Sequence, residues 1–250
     1  MSDNVIVFGA TSAMALGAMR RYAAEKARLV LVGRSPEKLD AVRNDLLAFG
    51  AASADVVVVA DLSDLSAQQG AVDAAWAKTE GGADAVLVAY GSLPDQAACQ
   101  ADTDLAVREF NNNGTSAVAL CNRLAQKLEE RGNGCLAVIS SVAADRGRES
   151  NYLYGAAKAA LATFVDGLFV RLSKKGIRVI DVKPGLVSSP MTAHLKQGPL
   201  FAKSDAVGAA IHRAMKNPSF QGTLYVPRVW ALIMFVVRHV PEVLFKRVRF

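Results

Sequence analysis

The stretch Val5-Ile6-Val7-Phe8-Gly9-Ala10-Thr11-Ser12-Ala13-Met14-Ala15 decides how this chain folds. Four consecutive apolar residues read as a strand covered on both faces. Gly9 then suits a tight turn, and an amphipathic helix over 13–26 follows. A turn from a first strand into a helix is where a doubly wound α/β fold sets a pyrophosphate, against backbone N–H groups and the helix dipole. Gly9, Thr11, Ser12, Ala13 and Met14 are therefore candidate cofactor contacts. Of the three glycines usual in such a loop only the first is present, and Ala13 and Ala15 stand where the later two belong.

The same alternation continues outward. Apolar runs at 4–8, 28–32, 55–60, 85–89, 134–139, 178–182 and 223–226 read as strands. Amphipathic stretches at 13–26, 36–49, 66–79, 102–131, 154–175 and 203–216 read as helices. Strands separated by helices imply βαβ units and a parallel sheet. The expected architecture is one doubly wound domain over 1–226, a seven-stranded, mostly parallel sheet with helices on both faces. An apolar and basic helical extension over 227–250 follows it. The segment 188–202, with two prolines and a glycine, reads as a long loop suited to a lid.

Of the formal charge of +6, +4 lies in the last twenty-three residues, where Arg228, Arg238, Lys246, Arg247 and Arg249 face one acid, Glu242. The nearly neutral remainder argues against nucleic-acid binding, which needs a broad basic footprint. The three cysteines, Cys99, Cys121 and Cys135, lack metal-ligand spacing and read as buried thiols of a reducing compartment. No metal site is expected. No run reaches the ~18 consecutive apolar residues of a spanning helix, and no secretory leader is read at the start. The expected location is the cytoplasm.

The chemistry lies in Tyr152-Leu153-Tyr154-Gly155-Ala156-Ala157-Lys158. Positions i and i+4 share a helix face, so the Lys158 ammonium can sit near the Tyr154 phenol. A phenol ionises near pH ~10, and a neighbouring cation favours its ionised form. Tyr154 tuned in this way exchanges a proton near neutral pH. Ser141, thirteen residues earlier at a strand end, is placed to hold the oxygen that receives it. Tyr152 has no lysine four residues on and reads as a pocket or packing residue, and His194 as a lid residue.

The second strand ends in Gly33-Arg34-Ser35 with no acid, and a basic residue there accommodates a ribose 2′-phosphate. Arg34 thus favours NADP(H), the alternative being a solvated loop arginine. Asp61 and Leu62 close the third strand where adenine lies. Ala89, Tyr90 and Gly91 close the fourth with small residues at the sheet edge.

In this order the motifs resemble the short-chain dehydrogenase/reductase family over nearly the whole chain. The resemblance implies a Rossmann fold and hydride exchange between NADP(H) and a carbonyl or alcohol, with Tyr154 as proton donor and Ser141 orienting the oxygen. Lys158 binds the nicotinamide ribose in that scheme. Asn111, first of Asn111-Asn112-Asn113-Gly114, becomes the active-site asparagine that holds a relay water. Pro184, Gly185, Val187 and Ser189 become nicotinamide contacts. The family's surfaces at the two long helices imply a homo-dimer or tetramer. Met191–Lys196 and the tail further resemble the branch of decaprenylphosphoryl keto-pentose 2-reductases, implying a polyprenyl-phosphate-linked keto-sugar as substrate. Apolar residues 229–237 with basic punctuation suit a helix lying on an anionic membrane surface, here its inner face. An oligomer-interface helix is the alternative for the tail, a small soluble ketone, alcohol or steroid for the substrate, and a non-catalytic NADP-binding sensor for the function.

Overall fold

Residues 3–247 are described by a computed structural model. The sheet strands are mostly apolar, and their side chains alternate between two helical layers. In β1 (Asn4–Phe8), Ile6 and Phe8 face one layer while Val5 and Val7 face the other. The chain then runs through α1 (Ala13–Ala24), β2 (Arg28–Gly33), α2 (Pro36–Ala48), β3 (Ser53–Val58), α3 (Leu65–Ala77) and β4 (Ala85–Val88). Next come α4 (Gln96–Ala101), α5 (Thr103–Phe110), a wide π-type turn (Asn111–Thr115), α6 (Ser116–Arg131), β5 (Cys135–Ile139) and a 3₁₀ turn (Val142–Asp145). The second half comprises α7 (Tyr152–Ser173), β6 (Arg178–Pro184), β7 (Val187–Ser188), β8 (Ala202–Lys203), α8 (Ser204–Lys216), β9 (Gly222–Val226), α9 (Val229–His239) and α10 (Glu242–Phe245).

The seven main strands pair in the order β3-β2-β1-β4-β5-β6-β9, and every pairing is parallel. The winding direction reverses between β1 and β4, which opens a crevice at the carboxyl ends of those strands. One core lies between the sheet and α3, α6 and α7, with Leu120, Leu124, Leu128, Leu161 and Val165 fully enclosed. The other lies under α1, α2 and α8, around Met19, Tyr22, Leu39, Leu46 and Ile211. By length and composition α7 could cross a membrane, yet Leu161, Val165, Leu168, Leu172 and the cation of Lys158 are buried within the protein.

The helix read over 102–131 runs from Thr103 to Arg131, its start capped where the Asp102 carboxylate accepts from Leu105 N–H, with one wide π-type turn inserted at Asn111–Thr115 between α5 and α6. Two other regions gain detail. The loop 188–202 carries a 3₁₀ turn at Pro190–Thr192 and a short pairing of β7 with β8. The extension does not stand apart from the domain. Trp230, Met234 and Val237, spaced i, i+4, i+7 on α9, pack against Val142 and leave Val229, Leu232, Phe235 and Val236 exposed. Arg146 donates to the carbonyls of Val237 and Val240, closing the end of α9, and stacks 3.7 Å over the Phe245 ring. Val248, Arg249 and Phe250 of the tail lie outside the described residues.

α1 and α8 meet at Gly17 and Gly208, where a Cβ on Gly208 would fall 2.5 Å from the nitrogen of Ala18. The atoms it would meet, of Gly17 and Ala18, are all backbone, which cannot swing aside. Gly208→Ala should therefore destabilise the protein by about 1–3 kcal/mol. Urea denaturation would show this as a lower midpoint, and an unchanged midpoint would contradict the packing.

Candidate active site

At the carboxyl edge of the sheet the crevice is a cavity of ≈ 470 Å³. It gathers Gly9, Thr11, Ser12, Met14, Arg34, Asp61, Leu62, Ala89, Tyr90, Gly91, Ser141, Tyr154, Lys158, Pro184, Gly185, Val187 and Ser189. Of the residues proposed from sequence, Ala13 and Asn111 do not line it. Ala13 is the first residue of α1, beside the loop. Tyr152 and His194 are exposed and also lie off the cavity, so Tyr152 is not a pocket residue.

The loop after β1 makes a cradle for an anion. Gly9 has φ +82, and its N–H and that of Ala10 donate to Val32 O at 2.9 and 3.1 Å. A Cβ on Gly9 would lie 2.7 Å from Tyr90 N, so only glycine serves there. Ser12 caps α1 without a side-chain hydrogen bond, so the helix start faces the cavity with donors available. Arg34, exposed at the end of β2, has no ion-pair partner among the described residues. Asp61 accepts from Ser63 N–H and Oγ at 2.8 and 2.7 Å. These features fit a dinucleotide.

Across the cavity, α7 presents Tyr154 and Lys158 on one face. Lys158 is 3 % exposed, and its Nζ donates to Ile139 O at 3.1 Å, at the end of β5. Burial pushes its ammonium down to about 8, with the charge of Asp181 opposing. Nζ lies 5.9 Å from the centre of the Tyr154 ring. Burial pushes the Tyr154 phenol up to about 12, and its hydrogen bond with Ser141 offsets this in part. The sequence expectation, a phenol lowered by its lysine, is thus reversed. Burial dominates, and Tyr154 is a neutral acid at neutral pH. Ser141 Oγ accepts from Ala143 N–H at 3.1 Å, which leaves its own proton available to donate.

The asparagine also changes. Asn111 is exposed, its Oδ1 accepting from Thr115 Oγ1 at 3.0 Å and its carbonyl from Ser116 N–H. The wide turn shifts the helical phase, so Asn113 faces inward instead. Its Oδ1 accepts from Ser92 N–H at 2.9 Å, and its Nδ2 donates to Ser92 Oγ at 3.0 Å and Glu109 O at 3.1 Å. A Cβ on Gly91 would fall 2.8 Å from Asn113 Oδ1 and 3.5 Å from Lys158 Nζ, so the two converge on that turn.

Sequence reasoning also missed Arg148, Asn151 and Trp230, all of which line the cavity. Trp230 reaches it from α9, and a Cβ on Gly185 would fall 1.9 Å from its Nε1. The signal was present in the i, i+4, i+7 spacing of Trp230, Met234 and Val237, which marks a buried face.

The family model described as short chain dehydrogenase matches residues 3–199. An uncharacterized oxidoreductase of Streptomyces coelicolor is 35% identical over 245 residues, which cover 98% of this chain and 95% of the relative. A sulfoacetaldehyde reductase of Chromohalobacter salexigens is 30% identical over 212 residues, covering 83% of this chain and 81% of the relative. Among solved structures, one described as a short chain dehydrogenase/reductase family protein superposes with a TM-score of 0.78 at 24% identity. It covers 90% of this chain and 97% of that one, a likeness of fold. The chain belongs to the short-chain dehydrogenase/reductase family and is a nicotinamide-dependent oxidoreductase of carbonyl and alcohol substrates.

Proposed function

We propose that this protein is an NADPH-dependent carbonyl reductase in which Tyr154 delivers the proton. The observation that carries the reading is the convergence of Ser141, Tyr154 and Lys158 on the cavity that also holds the Gly9 cradle and Arg34. The free backbone N–H groups at the start of α1 would hold the pyrophosphate and Arg34 the 2′-phosphate. Lys158 would bind the nicotinamide ribose, while Pro184, Gly185, Val187 and Ser189 would flank the ring. When bound, the cofactor supplies the hydride. Ser141 donates to the substrate oxygen and fixes its place. As negative charge grows on that oxygen, Tyr154 gives up its phenolic proton to it, and the secondary alcohol forms. The Lys158 ammonium stabilises the phenolate left behind. Asn113, rather than Asn111, braces the Gly91-Ser92 turn beside Lys158.

Two readings of the substrate follow. The exposed apolar stripe of α9, with Leu232 66% and Phe235 57% exposed and Val243 and Leu244 beyond it, supports the first. Flanked by Arg228, Arg238, Lys246 and Arg247, it suits an anionic membrane surface on the cytoplasmic side, where a polyprenyl-phosphate-linked keto-sugar would be met. Arg148 in the cavity favours the second, a small anionic carbonyl, the class named for the sulfoacetaldehyde reductase relative. The exposed face of α7, with Ala156, Ala160, Gly167 and Val170 at helical spacing, supports self-association of the enzyme.

Four measurements test this reading. Tyr154→Phe should lower turnover at least about 1,000-fold, the loss expected when general acid catalysis goes, and leave NADPH affinity unchanged in a fluorescence titration. In the wild type, kcat/KM for reduction should fall as pH rises through about 8, where Lys158 loses its proton. A profile flat through that region would contradict the role given to Lys158. Arg34→Ala should weaken NADPH about 10- to 100-fold, as for a lost charge-assisted hydrogen bond, and leave NADH binding unchanged. Equal losses for both cofactors would refute the 2′-phosphate assignment. For the membrane, wild-type protein should float with phosphatidylserine vesicles, and the double variant Leu232→Glu/Phe235→Glu should stay in solution. Wild-type protein that remains soluble would remove the membrane from the proposal.

A further inference from the structure

We propose that Asp181 is a positioning residue of this active site, whose carboxylate keeps the Lys158 ammonium charged and, through Ser140, holds the strand end that carries Ser141. The inference rests on the carbonyl-reductase reading, in which Lys158 acts as a cation. On β6, Val179 packs in the core beside α7 while Ile180 and Val182 face the other layer, so alternation puts Asp181 on the α7 side. Asp181 is 2% exposed and lies in register with Val138, near the end of β5. Its Oδ1 accepts from Ser140 Oγ. Lys158 Nζ donates to the carbonyl of Ile139, one residue earlier. The lysine and the aspartate thus hold adjacent residues of the strand end that continues into Ser141.

The other oxygen of Asp181, Oδ2, is enclosed with no hydrogen bond among the described residues. A buried carboxylate oxygen is tolerated in that state when charge offsets it. Lys183, 3.6 Å away on the same strand, is one such charge, and Lys158, which Asp181 holds toward its protonated form, is the other. Lys158 also faces the Tyr154 phenol on its own helix and the Cys121 thiol of α6. Burial pushes both up to about 12, so both are neutral where the lysine titrates. Around Asp181 stand Lys183, Asp145 at the end of the 3₁₀ turn and the exposed Asp166 of α7. Asp145 pairs with Lys183 at 2.6 Å. Within this cluster two buried ammonium groups are matched by two buried carboxylates. If Asp181 lost its charge, Lys183 would keep Asp145 as its ion-pair partner. The deficit would therefore fall on Lys158, whose burial already favours the neutral amine.

The test reads the charge of Lys158 directly, by NMR titration of the full-length protein isotopically labelled at lysine Cε, a carbon whose shift follows protonation of the amine. Loss of one signal in Lys158→Gln identifies the resonance. In the wild type it should titrate at about 8. Asp181→Asn keeps the side-chain shape and an acceptor for Ser140 but removes the charge, and it should lower the midpoint by about one pH unit. Lys183→Gln removes the cation on the other side of Asp181 and should raise the midpoint. Both variants break the same ion pair, so loosened packing would move them alike, whereas charge moves them in opposite directions. Unshifted midpoints, or shifts of the same sign in both, would overturn the inference. Where Asp181→Asn does not fold, Lys183→Gln decides alone, and a midpoint at or below the wild-type value overturns it. If the midpoints move as stated but NADPH reduces no carbonyl compound on this protein, the charge assignment holds and the proposed function fails instead.

Discussion

An ammonium held in the interior organises this active site. Lys158 is enclosed by α7 and the end of β5, and its hydrogen bond goes to Ile139 O. That carbonyl belongs to the strand end that continues into Ser140 and Ser141, so the contact that tolerates the lysine also delivers the serine. Asp181 on β6 supplies a compensating charge. It is fixed by Ser140 Oγ and lies 3.6 Å from Lys183, which in turn pairs with Asp145 at 2.6 Å. Tyr225 OH donates to the other oxygen of Asp145 at 2.7 Å. The result is a buried series of alternating charges running from α7 through β6 to β9. Buried pairs contribute little net stability when complete, but loss of one partner leaves a charge without compensation, at a cost of about 3–5 kcal/mol. The series therefore fixes the Ser141–Asp145 turn more than it stabilises the fold.

The same desolvation sets the protonation states. It moves Lys158 down and Tyr154 up, so the two groups separate. Below about pH 8 the resting pair is a neutral phenol beside an ammonium. That is the form able to give a proton and then to stabilise the anion left behind. A tyrosine already ionised at rest would suit the reverse reaction better. The charge on the substrate oxygen, which develops only during hydride transfer, draws the proton across.

Much of this was legible in the chain, and the exceptions share a cause. The strands were readable because a strand buried on both faces is mostly apolar, as Val5–Phe8 and Leu136–Ile139 are. Ser141, Tyr154 and Lys158 were readable because i, i+4 spacing fixes two side chains on one helix face. Asn111 was misplaced because it was taken from the resemblance of Asn111–Gly114 to the family's Asn-x-x-Gly, and the wide turn at Asn111–Thr115 sets Asn113 inward. The direction of the Tyr154 shift was misread because a neighbouring cation is visible in sequence and desolvation is not. Trp230 was assigned to a separate extension because its docking depends on Val142 and Arg146, about ninety residues away in the chain and brought close only by the fold.

α9 shows how one short helix serves two requirements at once. Its inner positions, Trp230, Met234 and Val237, are spaced to close the cavity, and its outer positions, Val229, Leu232, Phe235 and Val236, are as apolar as the inner ones. A helix needing only to cover a pocket would carry polar residues outside, since an exposed apolar stripe adds nothing to folding and promotes association. The outer stripe thus calls for a partner of its own. Whatever covers it touches the element that bears Trp230, and movement of α9 would carry the indole relative to Gly185. The wall over Gly185 and the exposed apolar stripe thus belong to a single element, whose carboxyl end Arg146 ties to the turn that begins with Ser141.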